Sequence, residues 1–194
     1  MWMPGKTTLS EALLYLAGSI RKMGRVDNRD AFLDTYALER ARGITIFSKQ
    51  AALTWEGNAH DAVRYAGPCG FSAEMERTLQ VLDYAVLVIS GADGVQSHTI
   101  TLWRLLAKYR IPVFLFVNKM DQPGTDREQR MRELQKRLDD GCADFAGAGT
   151  EEFREHAAMC DETLLERYLE TGDVEDDEIR RLIKERRLFP CFFG

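Results

Sequence analysis

Two kinds of apolar pattern alternate along the chain. Continuous runs of β-branched and aromatic residues at 85–89 and 113–117 read as buried strands of a parallel sheet, while apolar residues spaced three and four apart read as amphipathic helices. The helical stretches are 6–23 with Leu9, Leu13, Leu16 and Ile20 on one face, 71–82 with Met75, Leu79 and Leu82, 97–109 with Leu102, Leu105, Leu106 and Tyr109, and 125–138 with Met131, Leu134 and Leu138. Residues 44–55 read as a further strand, closed by a turn at Trp55-Glu56-Gly57-Asn58. Strand and helix in alternation predict a doubly wound α/β sheet. Beyond Asp139 the pattern weakens. Residues 141–149 are small and suggest a boundary or insertion, 162–170 and 175–187 predict two helices running from acidic to basic, and 188–193 predict a last strand whose Pro190 suits a sheet edge. The charge runs over 151–187 fit solvated helix faces.

Composition narrows the classes. With 194 residues and 45% hydrophobic content the chain suffices for a sizeable core. A formal net charge of -5 argues against holding nucleic acid, DNA included, by overall charge, although a local basic face could touch RNA. Cys69, Cys142, Cys160 and Cys191 show no C-x-x-C pairing, and the three histidines do not cluster near them, which favours free thiols in a reducing compartment over a zinc site or a disulfide frame. No run reaches membrane-spanning length and no leader is visible, so a cytoplasmic location is expected.

Three short motifs carry candidate chemistry. The strand at 113–117 runs into Asn118-Lys119-Met120-Asp121, at the end of a strand where open α/β sheets bind ligands. The Asp121 carboxylate could accept the paired N–H donors of a guanine edge, which adenine does not offer. Asn118 could bond the purine and tie neighbouring loops, and the Lys119 stem could cover the base face. The four letters alone fit an ordinary strand-to-helix turn with an Asp cap equally well. Gly5-Lys6-Thr7 is the second half of a phosphate-binding loop and leads straight into a helix, as anion binding by backbone N–H groups requires. By itself so short a string is weak. The polar stretch 24–43 ends at Arg42-Gly43-Ile44-Thr45-Ile46, which suits either a switch loop or a surface loop feeding a strand.

Taken in order, G-K-T-T, R-G-I-T-I, F-S-A-E-M-E-R, S-G-A-D-G-V-Q and N-K-M-D resemble the G domain of ribosome-dependent translational GTPases of the elongation factor G class. E-A-L-L-Y-L-A-G-S-I-R-K-M-G-R-V-D and L-E-R-A-R-G-I-T-I look most like the tetracycline-resistance, ribosomal-protection branch. The resemblance implies a P-loop GTPase fold with a nucleotide-binding core over 1–140, a helical insertion over 141–187 and the last strand over 188–194. It also implies GTP and Mg²⁺, with Gly5, Lys6, Thr7 and Thr8 at the phosphates, Thr7 and Thr45 at the metal, and Asn118, Lys119 and Asp121 at guanine. The partner implied is the ribosome and the reaction is hydrolysis of GTP to GDP. A housekeeping elongation factor G or a release-factor GTPase is the alternative within the class.

The departures are specific. Where the family carries H-V-D-A before G-K-T, preceded by the central strand of its sheet, this chain reads Met1-Trp2-Met3-Pro4. Where it carries D-T-P-G-H-V-D-F, this chain reads Arg64 through Phe71, so Arg64 replaces the metal-side aspartate and Pro68 the histidine that orients water. The family also continues past Gly194 into a loop that covers guanine. The expectation is a chain incomplete at both ends, with no intact catalytic residue. Since Met is ATG and Trp is TGG, the codons of residues 1–4 read one base earlier force Val-Asp-Ala after a codon ending in AT. Residues 60–71 read one base later permit T-T-L-F-D-T-P-G-H-V-D. Both segments therefore read as frame-shifted stretches of an ordinary member, and a pseudo-GTPase or inert fragment is the rival from another class.

Overall fold

The computed structural model describes residues 5–22, 24, 49–64 and 78–194, and the chain divides into two compact units, Met1–Met75 and Glu76–Gly194. In the first unit α1 (Lys6–Leu16) accompanies an antiparallel hairpin of β1 (Lys49–Trp55) and β2 (Asn58–Arg64). Trp55 pairs with Asn58 across a two-residue loop, and Glu56 and Gly57 both have positive φ (48° and 81°). That geometry belongs to the primed turns whose twist matches the flanking strands.

α1 ends seven residues earlier than its apolar spacing suggests. Gly18 adopts φ 69°, its N–H donates to the Tyr15 carbonyl (3.0 Å), and the Ser19 N–H donates to the Leu14 carbonyl (2.9 Å). This is a Schellman stop, which a glycine after the last turn makes favourable. The inward face also differs from expectation. Thr7, Glu11 and Leu14 are buried, while Leu13 and Leu16 are 46% and 66% exposed. Glu11 tolerates burial because its carboxylate accepts the Gly24 N–H at 3.2 Å.

The second unit is built on a wholly parallel four-stranded sheet in the order β3 (Ala85–Ser90), β4 (Val113–Asn118), β6 (Phe189–Phe193), β5 (Cys142–Asp144). β4 sits inside the sheet. Val113, Leu115 and Val117 on one face are fully buried, and Phe114 and Phe116 on the other are half-buried. α2 (Ser97–Lys108) lies between β3 and β4 in sequence and buries Leu106 of the expected stripe together with Thr99 and Trp103, while Leu102, Leu105 and Tyr109 are only half-buried. Trp103 wins because it meets Phe189 edge-on, with ring centres 4.6 Å apart, and the Arg186 guanidinium stacks over both rings at 5.2 and 5.3 Å.

β6 is interior rather than an edge. Its pairing to β4 begins only at Cys191, opposite Leu115, so Pro190 precedes that ladder and needs no N–H donor toward it. The Phe189 N–H instead donates across to the Gly141 carbonyl at 2.9 Å. The small-residue stretch expected to be a boundary thus supplies β5 and a short 3₁₀ turn (Phe145–Gly147). Gly141 is required there, because a Cβ would stand 2.1 Å from the Arg187 carbonyl oxygen.

Three helices separate β5 from β6: α4 (Glu151–Met159), α5 (Glu162–Thr171) and α6 (Asp176–Lys184). α4 is unexpected from the charge run, yet Phe153, Ala157 and Ala158 give it an inward stripe that packs with Leu164 and Leu182. Cys142, Cys160 and Cys191 are free thiols, Cys69 lies outside the described residues, and burial pushes the Cys160 thiol up to about 11. Asp161 is the polar centre of the helical region. Its buried carboxylate caps α5 through the Leu164 N–H (3.0 Å), pairs with Arg187 and lies 3.6 Å from Arg181. The Leu164 N–H and the two guanidiniums hold this carboxyl below the usual range.

A depressed carboxyl contributes stability that is present above its unfolded pKa and is lost as pH falls through its folded value. Stability measured by urea unfolding is therefore expected to drop as pH falls below the ordinary carboxylate range, and Asp161→Asn should flatten that drop while lowering stability at pH 7. Trp103→Ala removes the ring shared by Phe189 and Arg186 and is expected to cost roughly 3–5 kcal/mol in the same assay.

Candidate functional site

The backbone after β4 is folded into a shape that few sequences accept. Lys119 takes φ 67°, a left-handed conformation that costs a non-glycine residue about 1 kcal/mol or more and persists only where its surroundings impose it. Those surroundings are on both sides. The Gly91 N–H donates to the Asn118 carbonyl at 2.7 Å, and the Met120 N–H donates to the Gly194 carbonyl at 3.0 Å. The Thr125 hydroxyl meets the Met120 and Gln122 carbonyls at 2.7 and 2.8 Å. Asp126 then caps α3 (Arg127–Arg137) through the Gln129 N–H at 3.0 Å. The Asp that acts as helix cap is therefore Asp126. Asp121 stands apart from that duty.

Asn118 and Lys119 are half-buried, whereas Asp121 is exposed, and among the described residues its carboxylate takes part in no hydrogen bond or ion pair. A carboxylate left open at the carboxyl end of a central parallel strand is a ready acceptor for two adjacent N–H donors, which suits a guanine edge. Gly91 is equally constrained: a Cβ there would lie 2.6 Å from the Met120 sulfur and 3.2 Å from the Asn118 carbonyl oxygen. The loop after β3 thus presses directly on the N-K-M-D turn. Gly91, Thr125 and Gly194 are supports that motif reading alone missed, and the S-G-A-D-G-V-Q string was the signal for the first of them.

On the first unit, Gly5 precedes α1 with φ 82° and ψ 19°, a conformation that favours glycine. Lys6, Thr7 and Thr8 form the first turn, with no acidic residue among them, so the N–H groups and positive end of an 11-residue helix are offered to an anion. Thr7 is buried, and the Ser10 hydroxyl donates to the Lys6 carbonyl at 2.9 Å, tightening the turn. Thr45 and Pro68 lie outside the described residues. Arg64 ends β2, its backbone opposite Lys49. Among the described residues no group of three or more His, Cys, Asp or Glu side chains is gathered to hold a metal by itself. The structure sets Asn118, Lys119 and Asp121, expected at guanine, on one turn, and Gly5, Lys6, Thr7 and Thr8, expected at phosphates, at one helix start.

Comparison with known proteins agrees with this geometry. Residues 4–191 match the elongation factor Tu GTP binding domain. The chain is 35% identical over 206 residues to the tetracycline resistance protein TetO of Campylobacter jejuni, covering 98% of this chain and 32% of the relative. It is 33% identical over 212 residues to TetP of Clostridium perfringens, with the same coverage. Elongation factor G of Ureaplasma parvum is 41% identical over 134 residues, which is 69% of this chain and 20% of that protein. A crystal structure from Thermus thermophilus superposes over 98% of this chain and 36% of its own, with a TM-score of 0.84 at 23% identity, which shows the shared fold. The chain spans about a third of the length of the tetracycline-resistance relatives and a fifth of the elongation factor. With the family model covering nearly its whole length, the chain belongs to the elongation factor Tu GTP-binding domain family.

Proposed function

We propose that this chain is the guanine-nucleotide-binding part of a cytoplasmic translation factor that works on the ribosome, most similar to the tetracycline-resistance proteins. The observation that carries the reading is the open Asp121 carboxylate on a turn strained at Lys119 and held from three sides. Asn118 and Lys119 complete the base side, and Gly5, Lys6, Thr7 and Thr8 take the phosphates. The Thr7 and Thr45 hydroxyls would hold Mg²⁺, which would supply neutralisation of phosphate charge. The proposed organisation is a nucleotide core over 1–140, a helical insertion over 141–187 and the closing strand over 188–194. The resemblance to elongation factor G supports the same nucleotide with a housekeeping role.

Binding and turnover separate in this sequence. Arg64 places a cation, and Pro68 a ring with no titratable group, where the family carries a carboxylate and an imidazole. Positioning and charge stabilisation supply nearly all of the catalysis of phosphoryl transfer, so those replacements remove the means of hydrolysis while leaving Asn118, Lys119 and Asp121 in place. The reading for the 194 residues is nucleotide binding without turnover.

Titration of the chain with GDP, GTP, ADP and ATP by calorimetry is expected to show guanine binding, with guanine favoured over adenine by at least about 100-fold, because a site built to hydrogen-bond a polar edge rejects a ligand lacking it. Binding of ADP as tight as GDP removes the guanine assignment. Asp121→Asn turns an acceptor into a side chain that also donates, and should shift preference from guanosine to xanthosine diphosphate, whose ring carries a carbonyl where guanine carries an amino group. Phosphate release from GTP at a rate above the buffer blank would overturn the non-hydrolysing part.

A further inference from the structure

The loop after β3 is held by a cluster of charges on α3 that no motif includes. The Arg130 Nε donates to the Gly91 carbonyl at 2.6 Å, and a second guanidinium nitrogen reaches toward the Ala92 carbonyl at 3.4 Å. Arg130 is also paired with Glu133, whose other oxygen accepts the Val95 N–H at 3.1 Å. Arg137 donates to the Val95 carbonyl and lies 3.2 Å from the same Glu133 oxygen. Val95, 2% exposed, therefore has both backbone polar groups satisfied by side chains from α3.

The arrangement is built rather than incidental. Arg130 and Glu133 are only 15% and 22% exposed, so their charges depend on one another for compensation. Gly94 has φ 68°, and a Cβ on it would lie 2.4 Å from an Arg130 nitrogen and 2.5 Å from a Glu133 oxygen. The loop has given up side-chain volume at Gly91 and Gly94 to lie between α3 and the N-K-M-D turn.

The peptide gripped by Arg130 adjoins the one whose N–H reaches Asn118. Gly91 accepts from Arg130 through its carbonyl and donates to the Asn118 carbonyl through its N–H. The far end of the same turn is fixed where α3 begins, through Thr125 and the Asp126 cap. α3 thus holds Asn118 to Asp121 from both ends, and Arg130 is the link on the Asn118 side.

We propose that Arg130 and Glu133, with Arg137 as the second cation, form a latch that fixes the guanine-reading turn, making them positioning residues for base discrimination. The inference rests on the guanine reading above. It assigns to α3, otherwise a charged surface helix, control over how sharply Asp121 tells guanine from purines that lack its amino group.

The test compares GDP with inosine diphosphate, which keeps the ring N–H and lacks the 2-amino group, so the ratio of the two dissociation constants reads the placement of Asp121. ADP serves as the control. Glu133→Gln keeps the side chain's shape and removes the charge that pairs both arginines; it is expected to cut the ratio of the inosine diphosphate dissociation constant to that of GDP by about tenfold, the size of one charge-assisted hydrogen bond. Arg130→Lys should lower the ratio as well, because a point cation does not reproduce the planar fork. A purely structural role would lower the melting temperature and leave the ratio at its wild-type value, which overturns the latch alone. Wild-type protein that binds GDP no better than ADP overturns the guanine reading and the latch with it. If Glu133→Gln fails to fold, Arg137→Gln at the more exposed end replaces it: a smaller fall in the ratio supports the latch, and an unchanged ratio overturns it.

Discussion

The parallel ladder on both sides of β4 is the constraint from which the second unit follows. Parallel pairing requires each strand to be reached by a crossover, so α2 must carry the chain from β3 to β4 and the α3-to-α6 stretch must return it to β5 and β6. Strands bonded on both edges leave their carboxyl ends in register: Ser90 is opposite Asn118, and Val117 is opposite Phe193. The turns that leave those ends are consequently packed against one another. Gly91, Met120 and Gly194 meet there because the ladder delivers them to one level, not because each has affinity for the others.

This explains why the N-K-M-D turn was legible and much of its support was not. N-K-M-D is contiguous and follows an apolar run of strand length, so sequence places it at a strand end without knowledge of the fold. The partners of that turn come from positions 91, 125 and 194, and only the strand order β3-β4-β6 makes them neighbours. The same limit acts on helix faces. Counting apolar letters favours Leu102, Leu105 and Tyr109 over Trp103, but what α2 buries is decided by Phe189 and Arg186, far along the chain. On α1, Thr7, Glu11 and Leu14 form the inward stripe because a backbone N–H from Gly24 satisfies Glu11, a partner that no hydropathy pattern encodes.

Pro190 shows the limit of a local rule. Proline in a strand argues for an edge only when every residue of that strand must donate, and the β4 ladder begins one residue after it. Gly141 is the converse case. Its smallness suggested a flexible boundary, whereas its carbonyl receives the Phe189 N–H and its missing Cβ lets the Arg187 carbonyl approach. Small residues mark close approach of backbones as often as they mark freedom, and the two are told apart by what lies opposite.

The departures from the family fall unevenly over these two kinds of constraint. The N-K-M-D turn is over-determined, with a strained Lys119 held by Gly91, Thr125 and Gly194. On the proposed reading, Arg64 and Pro68 stand instead where individual side chains would have to supply charge and proton affinity to a reacting phosphate. Recognition of a base is distributed over backbone geometry and tolerates changes elsewhere. Catalysis of phosphoryl transfer depends on a few groups placed at the reacting atoms and does not. On the proposed reading, a chain of this sequence keeps its hold on guanine after it has lost the means to act on the phosphate. The two segments that read as frame-shifted, residues 1–4 and 60–71, lie outside the Asn118–Asp121 turn and the α3 residues that hold it.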